Sequence, residues 1–209
     1  MRIAIFSESL RFDQTAYEIL ISRILKEFFN IKKVQLLRLE NVSFNGKADV
    51  IKQSPLAAEQ LFYKHKKLKI IFVFADADGE FPQATNETES LIKKEFESFL
   101  FKHSVLFAVG VPTRNIEAWL LADIGVIIKI TKIKTLNQFI NSEKIKNPKD
   151  KFSEIYAKYR KVFSDSEFLP LSKQELANKI FLEINLDLLQ KRSLSFKRFI
   201  TELKINITS

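Results

Sequence analysis

The run Leu68 to Phe74 (Leu-Lys-Ile-Ile-Phe-Val-Phe) constrains the fold of this chain more than any other segment. It is apolar on both faces, which suits a central strand of a parallel sheet rather than a strand with one wet face. It stops abruptly at Ala75-Asp76-Ala77-Asp78-Gly79-Glu80. Comparable runs occur at Arg2 to Phe6, at Lys33 to Leu39 and at Val105 to Val111, the last halted by Pro112. Amphipathic stretches separate them. Thr15 with Glu18 three residues on reads as a capping box, and Tyr17, Leu20, Ile21, Ile24, Leu25 and Phe28 then recur at helical spacing as far as Asn30. Asn45-Gly46 marks a turn, and Pro55 suits the first turn of a helix reaching about Lys67. Further helices are expected at Glu87 to His103 and from Ile116 to Asp123, the latter carrying Trp119, read as a core residue. Strands that alternate with helices predict an α/β fold: a mainly parallel sheet with helices on both faces.

Beyond Asp123 the pattern changes. Ile124 to Ile133 is apolar and β-branched and fits either a strand or a buried helix. The remainder is helical and Lys-rich, with helices expected at Lys149–Phe163, Ser172–Leu182 and Leu186–Leu203, and a second capping box at Ser172 and Glu175. The expected division is an α/β unit over residues 1–125 and a helical extension packed on it over 126–209.

Composition narrows the chemistry. The chain has no cysteine and only two histidines, His65 and His103, which excludes disulfides and thiolate sites and leaves little for an imidazole-rich zinc site. Any bound metal must rest on carboxylates, which selects Mg²⁺ or Mn²⁺. No signal-peptide pattern and no apolar run of membrane-spanning length is present, so the expectation is a soluble, cytoplasmic protein. The net charge of +9 draws polyanions, nucleic acid above all, although a basic surface also serves solubility alone.

Three acids stand where strands are expected to end: Glu8 after the first, Asp76 and Asp78 after the central one. Ligands of open parallel sheets bind beyond the carboxyl ends of the strands. Three carboxylates there offer the hard oxygen donors of a divalent cation, and an unbound Glu8 can act as general acid or base. The bland reading of such acids is a helix cap or a solvated turn, and Asp13 is most simply a cap. After the strand ending at Val111, Arg114 is a candidate phosphate contact and Glu117 a further acid, unless the two merely pair at a helix start. Lys149 and Lys158 are candidate phosphate contacts in the tail, or part of a solvated face.

These residues resemble a known family. A strand ending in Glu8, a helix, and a later strand ending in Asp76-Ala77-Asp78 is the layout of the TOPRIM domain. Arg114-Asn115-Ile116-Glu117-Ala118-Trp119-Leu120-Leu121 is similar to a motif of small stand-alone TOPRIM proteins, the RloB-like proteins of restriction and phage-defence loci. So are Asn147-Pro148-Lys149, Tyr156 to Lys161 and Leu194-Ser195-Phe196. The resemblance implies a TOPRIM-like, Rossmann-like fold and a Mg²⁺-dependent (or Mn²⁺-dependent) nuclease of anti-phage defence, akin also to OLD-type nucleases. It implies Glu8 as general acid/base or ligand, Asp76 and Asp78 as metal ligands, and Glu117 as an additional acid. The substrate would be DNA or RNA, tRNA included, an ATPase is the partner implied, and homodimerisation is compatible. The family carries Gly after its first Glu, where this chain has Ser9, and an acid soon after, matched here by Asp13. The alternative is a non-catalytic nucleic-acid-binding or regulatory subunit of a defence complex. A phosphatase-like enzyme fits less well, since its Asp-x-Asp commonly follows the first strand.

Overall fold

The apolar runs form a four-stranded, all-parallel sheet in the order β2-β1-β3-β4, with β1 at Arg2–Phe6, β2 at Gln35–Leu37, β3 at Leu68–Phe74 and β4 at Leu106–Gly110. This computed structural model describes residues 1–8, 13–39, 42–137, 139–163 and 169–208, without the side chains of Asp13 and Thr208. The expected α/β architecture, Rossmann-like with a parallel sheet flanked by helices, is the one observed. Helix α1 is Asp13–Phe29, α2 Lys47–Lys64, α3 Gln83–Lys102, α4 Glu117–Leu120 and α5 Ile124–Thr131. A 3₁₀ turn at Ser142–Lys144 precedes α6 (Pro148–Val162), α7 (Lys173–Glu183), α8 (Leu186–Arg192) and α9 (Leu194–Thr208).

Side-chain alternation along the strands divides the core into two layers. Ala4, Phe6, Ile71, Val73 and Val109 face α2 and α3. Ile3, Ile5, Ile70, Phe72 and Phe74 face α1 together with buried residues of α4 to α9. The C-terminal helices therefore share one apolar cluster with the sheet. Trp119, fully buried as expected, packs edge-on against Phe74 and Phe196, while Tyr17 stacks on Phe74 at 3.9 Å. Polar clamps add direction: the Arg23 guanidinium of α1 donates to the carbonyls of Phe181 and Ile184, capping α7 with a cation where the helix dipole favours one.

Several local expectations change. Helix α1 starts at Asp13, so Thr15 lies inside it, and Glu18 accepts two bonds from Arg38 after β2 instead of closing a capping box. A tertiary ion pair has outcompeted the local cap. Helix α2 begins at Lys47, after Gly46 at φ 85°, so Pro55 sits within the helix and not in its first turn. The ambiguous Ile124 segment is helical, N-capped by Asp123, whose carboxylate accepts from Val126 N and Asn185 N. The last expected helix is broken at Ser193 into α8 and α9. The Ser172–Glu175 capping box forms as read.

Candidate active site

The strand order places a topological switch between β1 and β3. The chain leaves β1 for β2 on one side, then crosses back past β1 to β3 and β4 on the other. Helix α1 covers one face and α2 with α3 the other, so the connections after β1 and β3 diverge and open a crevice at the carboxyl edge. Glu8 lies two residues beyond β1 and Asp76 two beyond β3, on either side of that crevice. They meet directly: Glu8 Oε1 accepts the backbone N–H of Asp76 at 2.8 Å.

Burial pushes the Glu8 carboxyl above its ordinary value, the Asp76 N–H opposes that shift, the nearby Asp78 adds to it, and Lys47 pulls it back. Lys47, the first residue of α2, reaches Asp78 Oδ2 at 2.7 Å and the Ala77 carbonyl at 3.2 Å. A cation of the chain itself thus lies against the acids. Ser7, buried between β1 and Glu8, has a hydroxyl without a hydrogen-bond partner among the described residues.

Backbone pairing continues past β3 and β4 and braces the rim. Ala77 N donates to Pro112 O, Asp78 N to Arg114 O at 3.1 Å, and Arg114 N to Gly79 O at 3.2 Å. Asp78 (φ 56°) and Arg114 (φ 63°) both hold left-handed backbone, uncommon for residues other than glycine and characteristic of strained functional turns. Arg114 pairs with Glu80 at 2.9 Å and not with Glu117, while its Nε and the Asn115 Oδ1 are buried without hydrogen-bond partners among the described residues. Beside them opens a cleft of about 300 Å³ between this rim and the start of α6, lined among others by Asp78, Arg114, Asn115, Lys146 and Lys149.

Glu117 takes a different position. It opens α4, is 5% exposed, and its carboxyl is pushed up by burial, with its own backbone N–H, Lys173 and Lys149 opposing. Lys149 lines the cleft, whereas Lys158 is exposed nine residues further along α6, roughly 13 Å away at 1.5 Å per residue. Asp13 is the first residue of α1, and Ser9 lies outside the described residues. His65 and His103 end α2 and α3, and His103 pairs with Glu59. Lys47, Asn115 and Lys146 were not singled out from the sequence. The signal for Lys47 was the Asn45-Gly46 turn, which marks the true start of α2.

Among the described residues, no three acidic or histidine side chains come close enough to hold a metal ion between them. The donors present are nonetheless hard oxygens, and Mg²⁺ is commonly held by one or two carboxylates together with waters and substrate phosphates. The Glu8–Asp78 repulsion is one that a cation relieves. The donor chemistry therefore fits such an ion, with the remaining ligands drawn from solvent and substrate.

The chain matches the family described as Domain of unknown function (DUF4276) over residues 13–204. It belongs to that family. The match runs from α1 into α9, so the DUF4276 unit takes in β2 to β4 and the C-terminal helices, with Asp76, Asp78, Arg114 and the α6 cleft inside it and β1 and Glu8 just before it. No curated protein and no solved structure matches this DUF4276 chain. No helix among the described residues is long and apolar enough to cross a membrane.

Proposed function

We propose that this DUF4276 protein is a divalent-cation-dependent nuclease that cleaves phosphodiester bonds in DNA or RNA at the β1–β3 crevice. The observation that carries the reading is the contact across the switch point: a half-buried Glu8 with a raised pKa, held by the Asp76 N–H next to Asp78. Glu8, Asp76 and Asp78 would hold Mg²⁺ or Mn²⁺, which supplies Lewis-acid polarisation of the phosphoryl group. Burial raises the Glu8 carboxyl above its ordinary value, a direction that suits it to pass a proton to the leaving oxygen when it is not itself holding the ion. Arg114, Lys146 and Lys149 bind the flanking phosphates in the adjoining cleft, where Arg114 Nε has an unmet donor. Glu117, held in α4 between the lysines that open α6 and α7, positions that wall. The reading assigns the chain to the TOPRIM nucleases, RloB-like and OLD-type, with a cytoplasmic, anti-phage role and an ATPase as candidate partner.

A second reading is favoured by one observation. Lys47 already neutralises Asp78, and no three-acid group forms among the described residues, which suits a subunit that binds nucleic acid and leaves cleavage to a partner.

The test is cleavage of plasmid, single-stranded DNA and total tRNA in Mg²⁺, Mn²⁺ or EDTA. Wild type, Asp76→Asn and Glu8→Gln are compared. Metal-dependent cutting should fall by roughly 100-fold or more in each variant. Cutting that persists in both variants overturns the nuclease reading. Binding in EDTA without cutting in any metal selects the subunit reading.

A further inference from the structure

At the opposite end of the sheet, where the strands begin, lies a basin of about 400 Å³ whose lining includes Arg2, Lys33, Gln35, Lys67 and Lys69. No acid lines it. Among the described residues Lys33, Lys67 and Lys69 make no ion pair, and all three are exposed. Among the described residues, the Arg2 guanidinium donates to the neutral Gln35 amide alone, at 3.0 Å. This differs from the acid edge, where Lys47 and Arg114 are matched by Asp78 and Glu80.

Strand register orders these cations. Arg2 of β1 pairs with Gln35 of β2 on one side and Leu68 of β3 on the other. Lys33 precedes β2 by two residues, and Lys67 and Lys69 flank Leu68. The charges therefore follow the sheet edge in the order Lys33, Arg2, Lys67 and Lys69. Neighbouring strands lie about 4.8 Å apart, so the row spans roughly 10 Å. Unpaired like charges along a line repel one another, and a linear polyanion removes that repulsion along the whole row, as a single small anion does not.

We infer that this strand-start edge is a second nucleic-acid contact, separate from the acid crevice, which grips the sugar-phosphate backbone without reading sequence. The absence of any aromatic ring from the lining argues against base stacking and for phosphate contacts alone. A lipid surface fits less well: Met1 is the one large hydrophobic of the lining that is exposed, so little is offered to the acyl layer. The inference is independent of the proposed cleavage, because backbone binding of this kind needs no divalent ion.

The experiment is fluorescence anisotropy of a short labelled DNA duplex in EDTA across a salt series, so the result stands whatever the cleavage assay reads. Wild type is compared with Lys33→Gln/Lys67→Gln/Lys69→Gln and with Lys69→Gln alone. The triple variant should bind roughly tenfold or more weakly at moderate salt, and the slope of log K against log salt should fall by about 2–3, and by about 1 for the single variant. Exposed lysine replacements should leave circular dichroism and the thermal midpoint nearly unchanged. Unchanged affinity and slope in the triple variant, or no duplex binding by wild type at low salt, overturns the inference. So does loss of binding to phosphatidylserine-containing vesicles with duplex binding retained, which assigns the edge to a lipid surface.

Discussion

Glu143, in the 3₁₀ turn before α6, gathers four hydrogen bonds at the start of α9. Its carboxylate accepts from Ser193 Oγ, Leu194 N, Ser195 N and Ser195 Oγ, and Ser195 Oγ in turn accepts from the Trp119 indole and from Thr113 N beside the rim residue Arg114. Glu143→Ala strands several of these buried groups and should cost about 3 kcal/mol in urea unfolding, with Glu143→Gln losing less because its amide oxygen still accepts. Equal losses in both variants would mean that the charge and the second acceptor oxygen, which an amide lacks, are what matters. Glu117 gives a pH signature. Its folded pKa lies above the ordinary 4.5, so its stabilising contribution is complete below about that pH and is lost as pH rises through the folded value. Glu117→Gln escapes that loss, so its thermal midpoint relative to wild type should climb from about pH 4 to pH 7. A gap that narrows instead would show that Lys149 and Lys173 hold the carboxylate ionised. Neither residue's surroundings were legible beforehand, since Glu143 finds partners some fifty residues away and Glu117 finds lysines from two later helices.

Elements were legible where their own residues decide them. The strands β1 and β3 have the limits expected from their apolar runs, and α7 starts at its Ser172 cap. Other limits were decided by contacts made elsewhere. Arg38 takes Glu18 away from a local cap, and Gly46 opens α2 well upstream of Pro55. Strand β4 depends on a close approach that only glycine permits. A Cβ on Gly110 would stand 2.2 Å from Cε1 of Phe74, whose ring is stacked on Tyr17 and cannot retreat. Gly110→Ala should therefore destabilise by about 1–3 kcal/mol in denaturant titration, through overpacking and not through backbone strain. A neutral substitution would mean that β4 can shift away from β3.

One aromatic cluster ties the whole molecule together. Phe199 of α9 touches Phe72 and Phe74 of the sheet and Trp119 of α4. An ion-pair group of Glu89, Arg198, Glu202 and Lys93 fastens the same helix to α3. Phe199→Ala should cost about 3–5 kcal/mol, and Trp119 fluorescence and far-ultraviolet circular dichroism should still report a single coincident transition. Two separated transitions would reveal helices that unfold apart from the sheet.

The order of apolar runs and amphipathic stretches was enough to establish a parallel α/β sheet, the strand ends at which Glu8, Asp76 and Asp78 fall, and the buried role of Trp119. Such patterns are local: burial on both faces demands an unbroken apolar run, and a run must end where backbone meets water. Only the tertiary structure decided which strand ends are neighbours, and so set Glu8 against the Asp76 N–H. It also turned Arg114 toward Glu80, brought Lys47 onto Asp78, and lined up lysines from separate strand starts along one edge. Those contacts depend on strand order and helix placement, which no short window of sequence contains, because they are fixed by the packing of the whole chain around its core.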